Sequence, residues 1–193
     1  MARIPLADEA GLTGYIKELH DGADSNDWST QHVARVFDAS PELLEQYLTF
    51  YYPWHSNVEG CEEAARLTPR LKELVRLRIA ILNGCVTCQS ARLAADAVPE
   101  DQATGVWAED FAANPAYSPA ERAAIEFAER MAVDHHNIGD ADLEALHEHF
   151  DDAEILELMM MAGQYIGFGR CLAILQLETV SCSTSAGGRS EVE

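Results

Sequence analysis

The residues best suited to chemistry are two thiols three positions apart, in the run Cys85-Val86-Thr87-Cys88. At the start of a helix, Cys85 would lie beside unpaired backbone amides at the positive end of the dipole. Cys88 would follow one turn on, along the same face. That spacing lets the sulfurs close a disulfide with little backbone movement, and a thiol so placed can pass reversibly to sulfenate and disulfide. Three features surround the pair: Glu73 twelve positions before Cys85, the helix-breaking Asn83-Gly84, and Arg92 four positions after Cys88. Two quieter readings stand beside the redox one. The thiols could be inert packing, or half a zinc site, although no second Cys-x-x-Cys appears and the other ligands would come from scattered histidines. Glu73 and Arg92 could likewise form a buried ion pair whatever the cysteines do.

The stretch Glu73-Leu74-Val75-Arg76-Leu77-Arg78-Ile79-Ala80-Ile81-Leu82-Asn83-Gly84-Cys85-Val86-Thr87-Cys88-Gln89-Ser90-Ala91-Arg92 resembles the alkyl hydroperoxidase D-like / carboxymuconolactone decarboxylase family. That family's signature is Glu, eleven residues, Cys-x-x-Cys, three residues, His. The segment from Tyr117-Ser118-Pro119 through Arg170 resembles the rest of its all-helical (AhpD-like) fold, and Asn57 to Pro69 does so more loosely. The resemblance implies a thiol-dependent oxidoreductase. Cys88 would attack a peroxide oxygen, Cys85 would be the exposed, resolving thiol, and Glu73 would form the distal end of a proton relay. Two positions depart from the pattern. Arg92 stands where the family has His; a guanidinium stays protonated, so it can steady a thiolate or pair with Glu73 but cannot act as a base. Thr87 occupies a position that often carries His or Tyr. The resemblance further implies a hydroperoxide or disulfide substrate, a thiol reductant or a lipoyl- or thioredoxin-type donor, and a homo-oligomer. No metal and no cofactor are expected. Two other functions remain open: a redox-sensing or small-molecule-binding helical protein without peroxidase turnover, and a lyase like carboxymuconolactone decarboxylase that does not use the thiols.

The elements that would position these residues read as an all-α chain. A helix is expected over Leu12 to Leu19, followed by a polar turn from Ala23 to Trp28. Ser40-Pro41 opens the next helix, which the aromatic patch Tyr51, Tyr52, Pro53 and Trp54 ends. Thr68-Pro69 opens a largely buried helix, with Leu71, Leu74, Val75, Ile79 and Leu82 at helical spacing. After Asn83-Gly84 a further helix runs from Cys85 to about Ala97. Ser118-Pro119-Ala120-Glu121 is a capping-box start. Asp140 begins a short helix to His149, and Asp151-x-x-Glu154 opens a long final one. An echo between Glu73-Leu74 to Gly84 and Glu157-Leu158 to Arg170 fits an old internal duplication. One domain is expected over 1–180 (helices 1–60, the cysteine segment 68–97, helices 118–178), with a mobile tail at 181–193.

Composition limits the partners. The 193 residues carry a formal charge of −20, which argues against a phosphate backbone or an anionic membrane surface. The N-terminus lacks the apolar core of a secretory signal. The most apolar stretch, Ile155 to Leu177, is interrupted by Glu157, Gln164 and Arg170, short of the ~20 apolar residues a bilayer span needs. A cytoplasmic location follows, and five cysteines do not suggest a secreted disulfide framework. Among the lesser candidates, His55 could line a pocket, and the Tyr51–Trp54 patch is core or a subunit contact. His135 and His136 suit a helix end, while His147 and His149 point to different helix faces. Cys61, Cys171 and Cys182 read as loop, core and tail thiols, and Met159, Met160 and Met161 as core filler.

Overall fold

Helix α4 (Pro69–Leu82) is the axis of the structure, a computed structural model that describes residues 2–178. It starts where Thr68 accepts a hydrogen bond from the Leu71 amide and Pro69 fills the first turn, a position whose amide needs no partner. Every residue from Leu71 to Ala80 is buried, so the expected buried helix is found, although that run includes four charges. Each charge is satisfied by a specific partner, as burial requires. Lys72 binds Glu157 at 2.8 Å, together with Asn57 and the Trp54 carbonyl. Arg78 binds Glu129 at 2.7 Å and the carbonyls of Val106 and Ala108, and lies over the Phe111 ring. Glu73 and Arg76 bind each other.

Around this axis lie α1 (Gly14–Gly22), α2 (Trp28–Phe37), α3 (Pro41–Ser56), α5 (Val86–Ser90), α6 (Glu100–Gly105), α7 (Pro119–Val133), α8 (Asp140–His147) and α9 (Asp152–Leu175), with short 3-10 turns between them. Among the described residues there is no strand. Helices α3, α5, α7 and α9 pack on α4, and α1 and α2 form a hairpin against α3 and α5. Capping boxes start α7 (Ser118 with Glu121) and α9 (Asp151 with Glu154), as read from the sequence.

Several boundaries differ from expectation, each for a local reason. The polar turn gives way at Trp28 to α2, because Asp27 caps it by accepting from the Thr30 amide. The aromatic patch does not end α3, which continues through Pro53 to Ser56. The proline sits in the last turn, and the helix stops only at left-handed Asn57, whose amide bonds the Pro53 carbonyl. Tyr51 and Pro53 of that patch are buried in the core, so they are not a subunit contact. The cysteine helix ends at Ser90 instead of Ala97, because Arg76 and Glu73 take the backbone groups of Cys88, Ala91 and Leu93. Helix α8 stops at His147, and the first helix covers Gly14–Gly22.

Helix α9 has 24 residues and a most apolar window of mean hydropathy 1.4, which meets the length and composition of a bilayer span. Here it packs on α3, α4, α7 and α8, with Glu157 bound to Lys72. Of its methionines only Met161 is core; Met159 and Met160 face outward with Leu156. Cys171, expected in the core, is exposed. The tail 181–193 and Cys182 lie outside the described residues.

Candidate active site

Helix α4 ends at Asn83, and Gly84 at φ 60° turns the chain back sharply, a backbone conformation natural to glycine. Cys85 then caps α5, its sulfur accepting from the Cys88 amide at 3.1 Å. The two cysteines are joined in a disulfide. Their surroundings differ. Cys85 has 0% exposure and sits among Val36 of α2 and Leu172 and Leu177 at the C-terminal end of the described chain. Cys88 is partly buried and lines a cavity of about 80 Å3. The expectation of an exposed Cys85 is thereby corrected: α2 and the end of α9 cover it.

The cavity wall is mostly apolar, with Leu19, Val33, Leu48, Leu93, Phe168 and Leu172 among its lining residues. Its polar groups include Arg76, Thr87, Tyr51 and Tyr165. Thr87 is 2% exposed and its hydroxyl has no hydrogen-bond partner, an unusual state for a buried donor. Gly169 of α9 forms the floor. A Cβ there would stand 3.6 Å from Cys88 Sγ and only 2.7 Å from Asn83 Nδ2, which donates to the carbonyls of Tyr165 and Ile166. Gly169→Ala is therefore expected to dislodge the Asn83 amide and crowd Cys88. The helix-propensity gain of about 1 kcal/mol offsets much of an overpacking cost of about 1–3 kcal/mol. Thermal melting should thus fall only a few degrees while alkylation of reduced Cys88 slows markedly; unchanged alkylation would show that the floor does not matter.

Below the cavity lies a fully buried polar cluster. The Glu73 carboxylate accepts from Arg76 Nε at 2.7 Å and Nη2 at 2.8 Å, and from the Leu93 amide at 3.2 Å. Arg76 uses its remaining donors on the carbonyls of Cys88 (2.7 Å) and Ala91 (2.6 Å). The ion pair thus holds the backbone that carries the cysteine. Burial alone would raise the Glu73 carboxyl, but the guanidinium and its hydrogen bonds, with help from His55, hold it at about 2. On the opposite side His55 Nε2 lies 3.3 Å from Glu73 Oε2, and His55 Nδ1 meets the Tyr165 hydroxyl at 2.8 Å. Burial pushes the His55 imidazole below its ordinary value, with Glu73 opposing. The Tyr51 ring is stacked parallel to His55.

The residues read from the sequence thus separate into groups. Cys85, Cys88, Thr87 and Glu73 converge, and His55 joins them from α3, as part of the buried cluster instead of the pocket wall. Arg92 stays in ion-pair range of Glu73, its Nε 3.8 Å from Oε1, but makes no hydrogen bond to it; its guanidinium binds the Glu100 carboxylate and the Val98 carbonyl. The hydrogen-bonded partner of Glu73 is Arg76. It was legible as the i+3 partner of Glu73 on one helix face. Tyr165, ninety-two positions away on α9, carried no local signal. His147 binds Asp152 and the Leu143 carbonyl at the surface, away from the site. Among the described residues no three His, Cys, Asp or Glu side chains gather as a metal site.

An all-helical scaffold that presents a Cys-x-x-Cys from the end of a buried helix defines a recognisable class. The sequence model of the carboxymuconolactone decarboxylase family matches residues 41–130. A crystal structure described as an alkylhydroperoxidase AhpD core, an uncharacterized peroxidase-related protein from Ralstonia eutropha JMP134, superposes with a TM-score of 0.71. The match covers 92% of this chain and 91% of that one at 20% sequence identity. No curated protein matches the sequence. Residues 41–130 are thus similar to the carboxymuconolactone decarboxylase family, and the chain shares the all-helical fold of that AhpD-core structure.

Proposed function

We propose that the protein is a cytoplasmic, homo-oligomeric, thiol-dependent oxidoreductase that reduces organic hydroperoxides or small disulfides through Cys85 and Cys88. The observation that carries this reading is that Cys88 alone of the pair faces a largely apolar cavity, with Cys85 bonded behind it. The reduced Cys88 thiolate attacks the terminal peroxide oxygen; the O–O bond breaks, the alcohol leaves, and Cys88 becomes a sulfenic acid. The Cys85 thiol then attacks that sulfur, releasing water and forming the disulfide. A dithiol donor, of lipoyl or thioredoxin type, supplies two electrons and restores both thiols. The unpartnered Thr87 hydroxyl supports a polar substrate head beside Cys88, and the apolar wall supports an organic tail.

The test is turnover of an organic hydroperoxide by the reduced protein with a dithiol donor. Cys88→Ser is expected to lower the rate by about a thousandfold or more, as removal of a covalent nucleophile does. If Cys88→Ser turns over as fast as the parent, the mechanism is wrong. A lactone substrate processed equally well by the Cys85→Ser/Cys88→Ser protein would favour the lyase reading. A change in oligomeric state on oxidation, with negligible turnover, would favour a redox sensor.

A further inference from the structure

We propose that Tyr165 and His55, not Arg92, carry the proton of Cys88, with Glu73 holding the imidazole. This inference rests on the thiol chemistry proposed above. Three observations support it. First, Arg92 is occupied by Glu100 and Val98 and is always protonated. Second, Glu73 is locked by Arg76 and held at about 2, which makes it a poor proton acceptor at neutral pH but a good anchor for a cation. Third, Tyr165 and Cys88 line the same cavity. Tyr165 lies one turn before Gly169 on α9, hence on the same helix face, and that face abuts Cys88 Sγ.

The charge on Glu73 sets the direction of transfer. His55 Nε2 lies 3.3 Å from Glu73 Oε2 without a hydrogen bond in this geometry. Because an ionised carboxylate only accepts, charge favours the tautomer with its proton on Nε2, which leaves Nδ1 to accept from the Tyr165 hydroxyl. The hydroxyl oxygen then has lone pairs free for a proton arriving across the cavity, directly or over one water. Cys88 Sγ–H gives its proton to the Tyr165 oxygen as Tyr165 passes its own to His55 Nδ1. The products are a Cys88 thiolate and a doubly protonated imidazole against the Glu73 carboxylate. When the thiolate takes the terminal oxygen of a hydroperoxide, the leaving alkoxide recovers that proton by the same path. Neutral tyrosine is the resting form, because burial raises the Tyr165 hydroxyl well above its ordinary value. The logic is that of a nucleophile, a base and an orienting carboxylate, with a tyrosine hydroxyl inserted.

The charged and titratable groups around His55 are Tyr51 and Tyr52 from its own α3, Lys72, Glu73 and Arg76 from α4, and Tyr165 from α9. Lys72 is tied to Glu157, and the hydroxyls of Tyr51 and Tyr165 are held neutral by burial. Helices α1 and α2 bring only Leu19, Ser29, Thr30 and Val33 to the cavity, none of which titrates. Among the described residues of the cluster, His55 is the group kept neutral by burial yet with a nitrogen able to accept a proton.

The decisive experiment measures the pH dependence of iodoacetamide alkylation of the reduced protein, read at each cysteine by peptide mass spectrometry. Exposed Cys171 serves as the internal control. Tyr165→Phe keeps the ring and removes only the hydroxyl. It is expected to move the Cys88 profile up by about one pH unit toward an ordinary thiol near 8.5, lowering its rate at pH 7 about tenfold, with Cys171 unchanged. His55→Gln is expected to give the same shift. A Cys88 profile in folded Tyr165→Phe that superimposes on the parent overturns the relay. Should that variant not fold, nitrogen-15 histidine spectra of the parent decide the question: His55 gains a second proton near neutral pH only when the cysteines are reduced, and a His55 signal indifferent to reduction overturns the proposal. The relay and the peroxidase reading fail separately. A shifted profile without hydroperoxide turnover keeps the relay and removes the peroxidase; turnover with an unshifted profile does the reverse.

Discussion

Arg76→Met is expected to cost about 3–5 kcal/mol of stability, the usual consequence of stranding one partner of a buried ion pair. Arg76 and Glu73 are both buried, with two hydrogen bonds between them, and Arg76 also ties down the Cys88 and Ala91 carbonyls. Removing the guanidinium leaves a buried carboxylate with the Leu93 amide but no cation hydrogen-bonded to it, and strips its donors from the Cys88 and Ala91 carbonyls. For a chain of this length each kcal/mol moves the melting midpoint by about 2–4 °C, so a drop of about 10 °C or more should be seen. The pH dependence supplies the sign. In the folded parent the Glu73 carboxyl is held at about 2, below its ordinary 4.5. Its contribution is complete above about 4.5 and is lost as the pH falls toward 2. In Arg76→Met the carboxyl loses that hold, so the deficit relative to the parent should shrink on acidification. The double variant Glu73→Leu/Arg76→Met should recover much of the stability, since an apolar pair can replace a buried ion pair at little cost. It should not recover the reactivity of Cys88, whose backbone the pair positions. A single variant less than 1 kcal/mol below the parent, or a double no better than the single, would refute this view of the cluster.

The limits of sequence reading show in the same residues. Helix starts were legible because their determinants are local: Thr68-Pro69, Ser118 with Glu121, and Asp151 with Glu154 act within one turn. Glu73, Cys85, Thr87 and Cys88 were legible because their types and spacing lie within one stretch of chain. The end of α5 was not, because it is set by Arg76 and Glu73 capturing backbone groups from another helix. Arg92 was the natural partner for Glu73 on family spacing, but a guanidinium three positions along the same helix is closer than one nineteen positions away across a turn. Tyr165 and Gly169 lie on α9, and nothing local in their sequence marks them as neighbours of Cys88. The burial of Cys85 depends on Val36, Leu172 and Leu177, which the chain brings together only on folding.

That burial has a consequence for how the disulfide is reduced. A dithiol attacks a disulfide sulfur along the S–S axis, so the sulfur it can reach decides where the mixed disulfide forms. Cys85 has no exposed surface beneath α2 and the end of α9, whereas Cys88 opens on the cavity. The donor is therefore expected to attack Cys88 and release Cys85 as the leaving thiolate, opposite to the order implied by an exposed first cysteine. Two measurements follow. In the reduced native protein, N-ethylmaleimide should label Cys88 and Cys171 quickly. Cys85 should be slower by a factor on the order of a hundred or more, since a local opening of about 3 kcal/mol must precede its reaction. With the donor in its disulfide form, the lone Cys88 thiolate of Cys85→Ser should attack a donor sulfur and trap a mixed disulfide, releasing the donor's other thiol, while the lone Cys85 of Cys88→Ser should trap almost none. Equal labelling of the two cysteines, or a mixed disulfide that accumulates on Cys85 in Cys88→Ser, would mean that α2 and the terminal segments open readily. Entry would then run past Val36 and Leu177, not through the cavity. Because the cavity is small and largely apolar, entry at Cys88 also favours a slender donor, such as a dithiol on a flexible arm, over a bulky folded one.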